Sequence, residues 1–232
     1  MYKTRMLRLL FTAAFALITA NVAASEEIEA LNGVWLLNLP DSESEIVFTE
    51  EGDRIRGEYD LLSDDPSLHC TPASTARIWA NPNSRIKIEQ LEDEVRISYE
   101  LFDLRRVIPF SDGTAIGSAP STKNIEGKPF PEMGSSVAYH EGDSLILESR
   151  HHAPGYIRTS RGIPQGVETI AYEELWVEND VLYITHTYID ETLYKKPLVL
   201  NYNFRRLDAD DVDIYNCTDA DYDWFLELNE DN

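Results

Sequence analysis

The amino-acid sequence predicts an all-β protein, a single antiparallel β-barrel or strongly curved sheet of about eleven strands. Apolar and polar residues alternate through most of the chain, as in Ile86 and Ile88 or Val95, Ile97 and Tyr99. Turn signals break that alternation at Glu92-Asp93, Gly142-Asp143 and Asn179-Asp180, and helical three-four spacing is rarely sustained. No fixed internal period points to a propeller.

Along the chain, period-two segments fall near 33–39, 44–49, 53–60, 85–91, 94–101, 104–110, 136–141, 144–150, 167–178, 181–190 and 196–207. Three hairpins have a register that follows from the turn position. A turn at Glu92-Asp93 sets Ile88 opposite Ile97 and Ile86 opposite Tyr99 on one face, with Glu89 meeting Arg96 on the other. Gly142-Asp143, with glycine first as a type II′ turn wants, pairs Ala138 with Leu147 and His140 with Leu145. Asn179-Asp180 pairs Val177 with Leu182 and Leu175 with Ile184, and so brings Glu173 opposite His186. Two stretches resist strand assignment. Residues 111–135 are rich in glycine and proline and are expected to form a functional loop or lid. Residues 149–167 carry Arg150, His151, His152, Arg158 and Arg161 with no carboxylate.

Lys3, Arg5 and Arg8, an apolar run from Leu9 to Val22, and small residues before Ser25 form the three-part layout of a secretory signal peptide cleaved near Ala24. Residues 25–232 are then one all-β domain with an acidic C-terminal tail. The expected location is periplasmic or secreted. No later segment reaches the roughly 20 apolar residues of a membrane helix, so membrane insertion is not expected. An exported chain whose only cysteines are Cys70 and Cys217 most simply pairs them. Free or catalytic thiols are the alternative, with neither Cys-x-x-Cys spacing nor an evident activating partner.

Twenty basic and 42 acidic residues give a net charge of −22, and losing Lys3, Arg5 and Arg8 with the leader moves it to −25. Such a chain repels polyanions, which argues against nucleic acid and anionic lipid as partners. A cation, a neutral small molecule or a basic partner fits better.

Glu173 and His186 are the candidate catalytic pair. They share a face with Leu175, Val177, Leu182 and Ile184, where burial would shift their proton affinities as general acid-base chemistry needs. Two other arrangements fit the same pattern: a structural ion pair, or burial of the opposite face with Trp176 and Tyr183. The candidate ligand-binding set is Arg150, His151, His152, Tyr156, Arg158 and Arg161, because guanidinium forks suit carboxylates and phosphates. Docking of that stretch on the protein's own acidic surface is the alternative. The five histidines show no zinc-site spacing. Asp219, Asp221, Asp223, Glu227 and Glu230 match a calcium-loop template, but Trp224 stands where it requires glycine. No metal or cofactor site is assigned. The chain has no G-x-S-x-G elbow, phosphate loop or dinucleotide fingerprint, so common enzyme classes lose support.

The segment Gly134-Ser135-Ser136-Val137-Ala138-Tyr139-His140-Glu141-Gly142-Asp143-Ser144-Leu145-Ile146-Leu147-Glu148-Ser149 resembles the G-x-S-x-G-x-W-E-G-D-T-L-V-V-E-T signature of a family of uncharacterised exported bacterial β-rich proteins. Cys70-Thr71-Pro72, Arg105-Arg106-Val107-Ile108, Thr187-Tyr188-Ile189-Asp190 and Lys196-Pro197 match its C-x-P, R-R-I-Y, T-x-x-D and K-P elements. Ala138 and His140 replace its second glycine and its tryptophan, and Pro164-Gln165-Gly166 replaces its P-H-S. The resemblance implies an exported β-rich protein and no catalytic activity. Gly33-Val34-Trp35, with Arg205 and Arg206 on the last long strand, is similar to the lipocalin-like G-x-W pattern, in which the tryptophan packs on an arginine and closes the barrel floor.

The reading that absorbs most of this is a non-enzymatic exported protein binding an apolar or weakly anionic small molecule, gated by the loops at 111–135 and 149–167. A hydrolase or isomerase using Glu173 and His186 is the second reading, and an envelope interaction protein without a pocket the third.

Overall fold

Alternating sequence becomes alternating burial in the computed structural model, which describes residues 30–43, 45–111 and 116–219. In β2 (Arg85–Gln90), β3 (Glu94–Tyr99) and β4 (Leu104–Pro109), the residues Ile86, Ile88, Val95, Ile97, Tyr99, Leu104 and Ile108 all turn inward. The same period runs through β10 (Ile170–Glu178), β11 (Val181–Ile189) and β12 (Leu198–Leu207). With β1 (Gly33–Glu43), β5 (Thr122–Asn124), β6 (Ser135–Glu141) and β7 (Ser144–Arg150) they form one ten-stranded antiparallel sheet in the order β5-β4-β3-β2-β1-β12-β11-β10-β7-β6.

All three hairpin registers are observed as expected, Glu173 opposite His186 included. Gly142 has φ 60° in the β6–β7 turn, and Asn179 and Asp180 have φ 53° and 60° in the β10–β11 turn, as two-residue loops that match strand twist require.

The sheet curls until its edges approach, but no strand ladder closes it. Irregular bonds stitch the seam instead. Ser111 N donates to Ala138 O at 2.9 Å, Ser121 N to Gly134 O at 3.1 Å, and Ser136 N to Ser121 Oγ at 2.7 Å. The described residues of the 111–135 stretch therefore stitch the seam and include the short strand β5, while 112–115 lie outside the described residues.

At the opposite side of the curl, Arg206 lies over the Trp35 ring at 4.1 Å and donates to Asn32 O and Ala30 O, both at 2.6 Å. Gly33, at φ 138°, leaves room for that guanidinium, which a Cβ there would strike. The tryptophan–arginine contact expected from G-x-W is thus present, with Arg206 rather than Arg205 supplying it.

The connection from β1 to β2 departs from expectation. In place of the strands anticipated at 44–49 and 53–60, residues 45–49 are irregular with one bridge at Phe48, and the helix α1 (Glu50–Glu58) follows. Thr49 caps α1 by accepting from Gly52 N at 3.0 Å, Glu50, Glu51 and Asp53 complement its positive end, and Arg54 pairs with Glu51 and Glu58. A short helix α2 (Leu61–Asp64) and then α3 (Thr75–Trp79) follow. α3 plugs the curl: Ala76, Ile78 and Trp79 are buried, with Trp79 edge-on to Tyr99 and Phe204. The stretch at 149–167 also departs from expectation, since it contains the hairpin β8 (Gly155–Arg158) and β9 (Ile163–Gln165). The hairpin docks on the helices through Ser74 Oγ, which donates to Ile157 O at 2.8 Å.

Cys70 and Cys217 form a disulfide across a sequence separation of 147. Among the described residues no helix is long and apolar enough to cross a membrane.

Candidate ligand-binding site

The interior that the curl encloses is occupied. Arg106 sits at an inward-pointing position of β4 between Leu104 and Ile108, and both it and Glu173 are 0% exposed. Its Nη1 lies 2.7 Å from Glu173 Oε1, and its Nη2 donates to Ser136 Oγ at 2.8 Å and Ser149 Oγ at 2.9 Å. Trp79 Nε1 donates to Glu173 Oε2 at 2.8 Å. Five elements, β4, β6, β7, β10 and α3, thus meet at one ion pair. Burial works against the Arg106 charge, but the facing Glu173 carboxylate and Tyr99 hydroxyl outweigh it and leave the guanidinium firmly protonated.

His186 faces inward beside this pair, flanked by Tyr188 and Tyr202 at 6.3 and 5.6 Å between ring centroids. Neither of its ring nitrogens has a hydrogen-bond partner among the described residues. Burial pushes the imidazole down to about 4, with Glu173 opposing the shift and Arg106 and Arg158 adding to it. The expected acid-base couple is therefore not assembled. Both Glu173 oxygens are engaged elsewhere, and His186 is a neutral core side chain.

The basic stretch does not converge on one ligand either. Arg150 turns outward and donates to Glu148 at 2.6 Å, and His151 is exposed. His152 is buried against Glu132 O, and burial lowers its proton affinity. Tyr156 packs edge-on against Tyr59, and Arg158 lies over the Tyr202 ring at 5.7 Å. Arg161 lines a shallow depression with Phe48, Arg56 and Lys195, whose rim also carries Glu45 and Asp53. Opposite signs on that rim fit internal docking better than an anion site. The calcium-template residues beyond Asp219 lie outside the described residues, and among the described ones no three metal-binding side chains cluster.

The seam, by contrast, holds a concave site. A groove of about 530 Å³ runs between the outward faces of β4 and β5 on one side and the start of β6 on the other. Val107 and Pro109 of β4, Val137 of β6 and Ile125 beside β5 make it apolar. Val107 and Ile125 are 45% and 52% exposed, unusual for large aliphatic side chains on adjoining elements. Arg105 and Lys123 stand in the same lining, directly opposite each other in the β4–β5 register. No carboxylate lines the groove among the described residues.

Sequence reasoning did not find these residues, although the double arginine Arg105-Arg106 held the signal. Alternation sends one inward and the other out. What no local pattern shows is that β4 and β6 become neighbours across the seam.

No protein-family model matches the chain, and neither does any curated protein sequence. Solved structures do match it. The fatty acid transporter REP1-NXSQ is 13% identical with a TM-score of 0.39, over 78% of this chain and 98% of that one. The wild-type fluorescent protein UnaG is 13% identical with a TM-score of 0.38, over 78% and 99%. A secretary abundant heat soluble protein from Ramazzottius varieornatus is 13% identical with a TM-score of 0.37, over 77% and 96%.

Proposed function

We propose that this chain is a non-enzymatic binding protein for a small molecule with substantial apolar surface, held in the seam groove rather than inside the curled sheet. The groove carries this reading. It is the place where exposed Val107 and Ile125 meet Val137 and Pro109 around a volume suited to one small ligand. The interior supports it by contrast, because α3, Trp79 and the Arg106–Glu173 pair take the space a ligand would need.

The test is titration of the neutral dye N-phenyl-1-naphthylamine. Saturable binding is expected, and Val107→Asp should weaken it by about tenfold or more by placing a charge on the apolar floor. The exposed position should leave the unfolding midpoint unchanged. Absence of saturable binding, or a Val107→Asp protein that binds as the native one does, removes the reading.

Export belongs to the same reading. The leader-like residues 1–24 and the Cys70–Cys217 bridge support an oxidising compartment. Kinship with the exported family whose signature Gly134–Ser149 resembles is supported by Arg106, Ser136 and Ser149 meeting at one point. Intact-mass measurement on protein from the producing cells should show a chain starting at Ser25 and lighter by two hydrogens. A full-length, fully reduced chain would sink the export claim.

A further inference from the structure

We propose that the seam groove takes an amphipathic organic anion, its oxyanion head held between Arg105 and Lys123 and its apolar body laid along Val107 and Ile125. This rests on the groove being the binding site and adds the chemical class of what enters it.

The first observation is a local conflict. Arg105 and Lys123 face each other directly across β4 and β5. Like charges in that position destabilise a sheet, and the usual remedy is a neighbouring counter-ion. The second observation is that no counter-ion is supplied among the described residues. Arg85, Arg96, Arg106, Arg150 and Arg206 each reach a carboxylate within 4.0 Å. Arg105 bonds only the carbonyl of its neighbour Leu104, at 2.8 Å, and Lys123 has no ion pair among the described residues. In a chain with 42 acidic and 20 basic residues, a cationic couple left uncompensated is against the statistical grain.

The third observation is where the couple sits. The apolar walls of the groove lower the local dielectric, so a charge placed there interacts more strongly with the two cations than on open surface. A guanidinium and an ammonium together offer a fork and a point charge to one oxyanion, a combination suited to carboxylate, sulfonate or phosphate. An anion arriving at this position relieves the repulsion between the two side chains and gains both ionic hydrogen bonds. A neutral ligand leaves the conflict in place. The depression around Phe48 lacks this logic, since Glu45 and Asp53 share its rim with the cations.

Two dyes with the same ring system separate this claim from the one beneath it. 1-Anilinonaphthalene-8-sulfonate carries the head that N-phenyl-1-naphthylamine lacks. The sulfonate should bind about tenfold or more tightly than the neutral dye, and Arg105→Gln and Lys123→Gln should each bring the two to within about twofold. Both variants should unfold at or above the native midpoint, because each removes one of two like charges paired in register across β4 and β5. Lys123→Arg should retain the preference. Equal affinity of the native protein for the two dyes overturns the anion assignment while leaving the groove as a site. A sulfonate preference that survives both glutamine variants also overturns it, and binding of neither dye removes the groove reading itself.

Discussion

Arg105 and Arg106 are consecutive residues of one strand, yet they sit in opposite physical regimes. Arg106 points inward, is 0% exposed and is matched by Glu173, Ser136 and Ser149. Arg105 points outward beside an apolar groove, faces another cation and has no carboxylate partner among the described residues. The interior pairs its one buried cation with a carboxylate, whereas the seam leaves Arg105 and Lys123 without one among the described residues. A site that holds a ligand needs the second condition, and a core that stays folded needs the first. The comparison predicts that substitutions on the two faces of β4 act on different quantities, stability for the inward residue and binding for the outward one.

The largest effect should come from breaking the interior pair. Arg106→Met leaves Glu173 buried with only the Trp79 donor, and removing one partner of a buried pair costs about 3–5 kcal/mol. Urea unfolding should register that loss, and adding Glu173→Leu to Arg106→Met should recover much of it. A single variant losing less than about 1 kcal/mol would place Arg106 in the same class as surface charges and erase the contrast with Arg105.

His186 sharpens the contrast through pH. Its folded-state affinity, about 4, lies below the ordinary 6.5, so the unfolded chain takes up the proton first as pH falls. Stability from this residue is therefore full above pH 6.5, declines between 6.5 and 4, and levels off below. The total is about 3 kcal/mol, and His152, shifted the same way by burial, adds to the slope. Unfolding free energies measured from pH 7.5 to 4.5 should follow that decline, and His186→Phe should flatten it. A native protein equally stable at both ends would contradict the packing described for the interior.

Much of the interior was legible in the sequence because strand alternation and turn position are local. The register pairing of Glu173 with His186 follows from the turn between them, the Trp35–arginine contact from the G-x-W resemblance and the Cys70–Cys217 bridge from the count of two cysteines, while which face of β10 is buried stayed open. What Glu173 would touch was not legible, because its partners Arg106 and Trp79 come from β4 and α3, far away along the chain. α1 was missed for a different reason. Arg54, Ile55 and Arg56 alternate as a strand would, but Thr49 as cap and the acidic first turn outweigh that short pattern. The groove depends on the seam, a relation between β4, β5 and β6 that no single segment encodes. The basic stretch stood out by composition, yet the β8–β9 hairpin spreads its side chains over different surfaces.

A third arginine, Arg206, lies between the two regimes and tests whether they form a continuum. It is 30% exposed at the side chain, covers Trp35 and donates to the carbonyls of Ala30 and Asn32 as well as to Asp180. Its ring contact and its two carbonyl bonds are shielded, while Asp180 is 70% exposed. Arg206→Ala should therefore cost about 2 kcal/mol, mostly from lost cation–π and carbonyl contacts. Asp180→Ala should cost under about 0.5 kcal/mol, as solvent-screened ion pairs do. Arg206→Lys should recover little, since an ammonium cannot cover the ring and reach both carbonyls at once. If Asp180→Ala proved as damaging as Arg206→Ala, the exposed ion pair would be the source of the stability. Shielding by neighbouring groups would then not be what separates the arginines of this sheet.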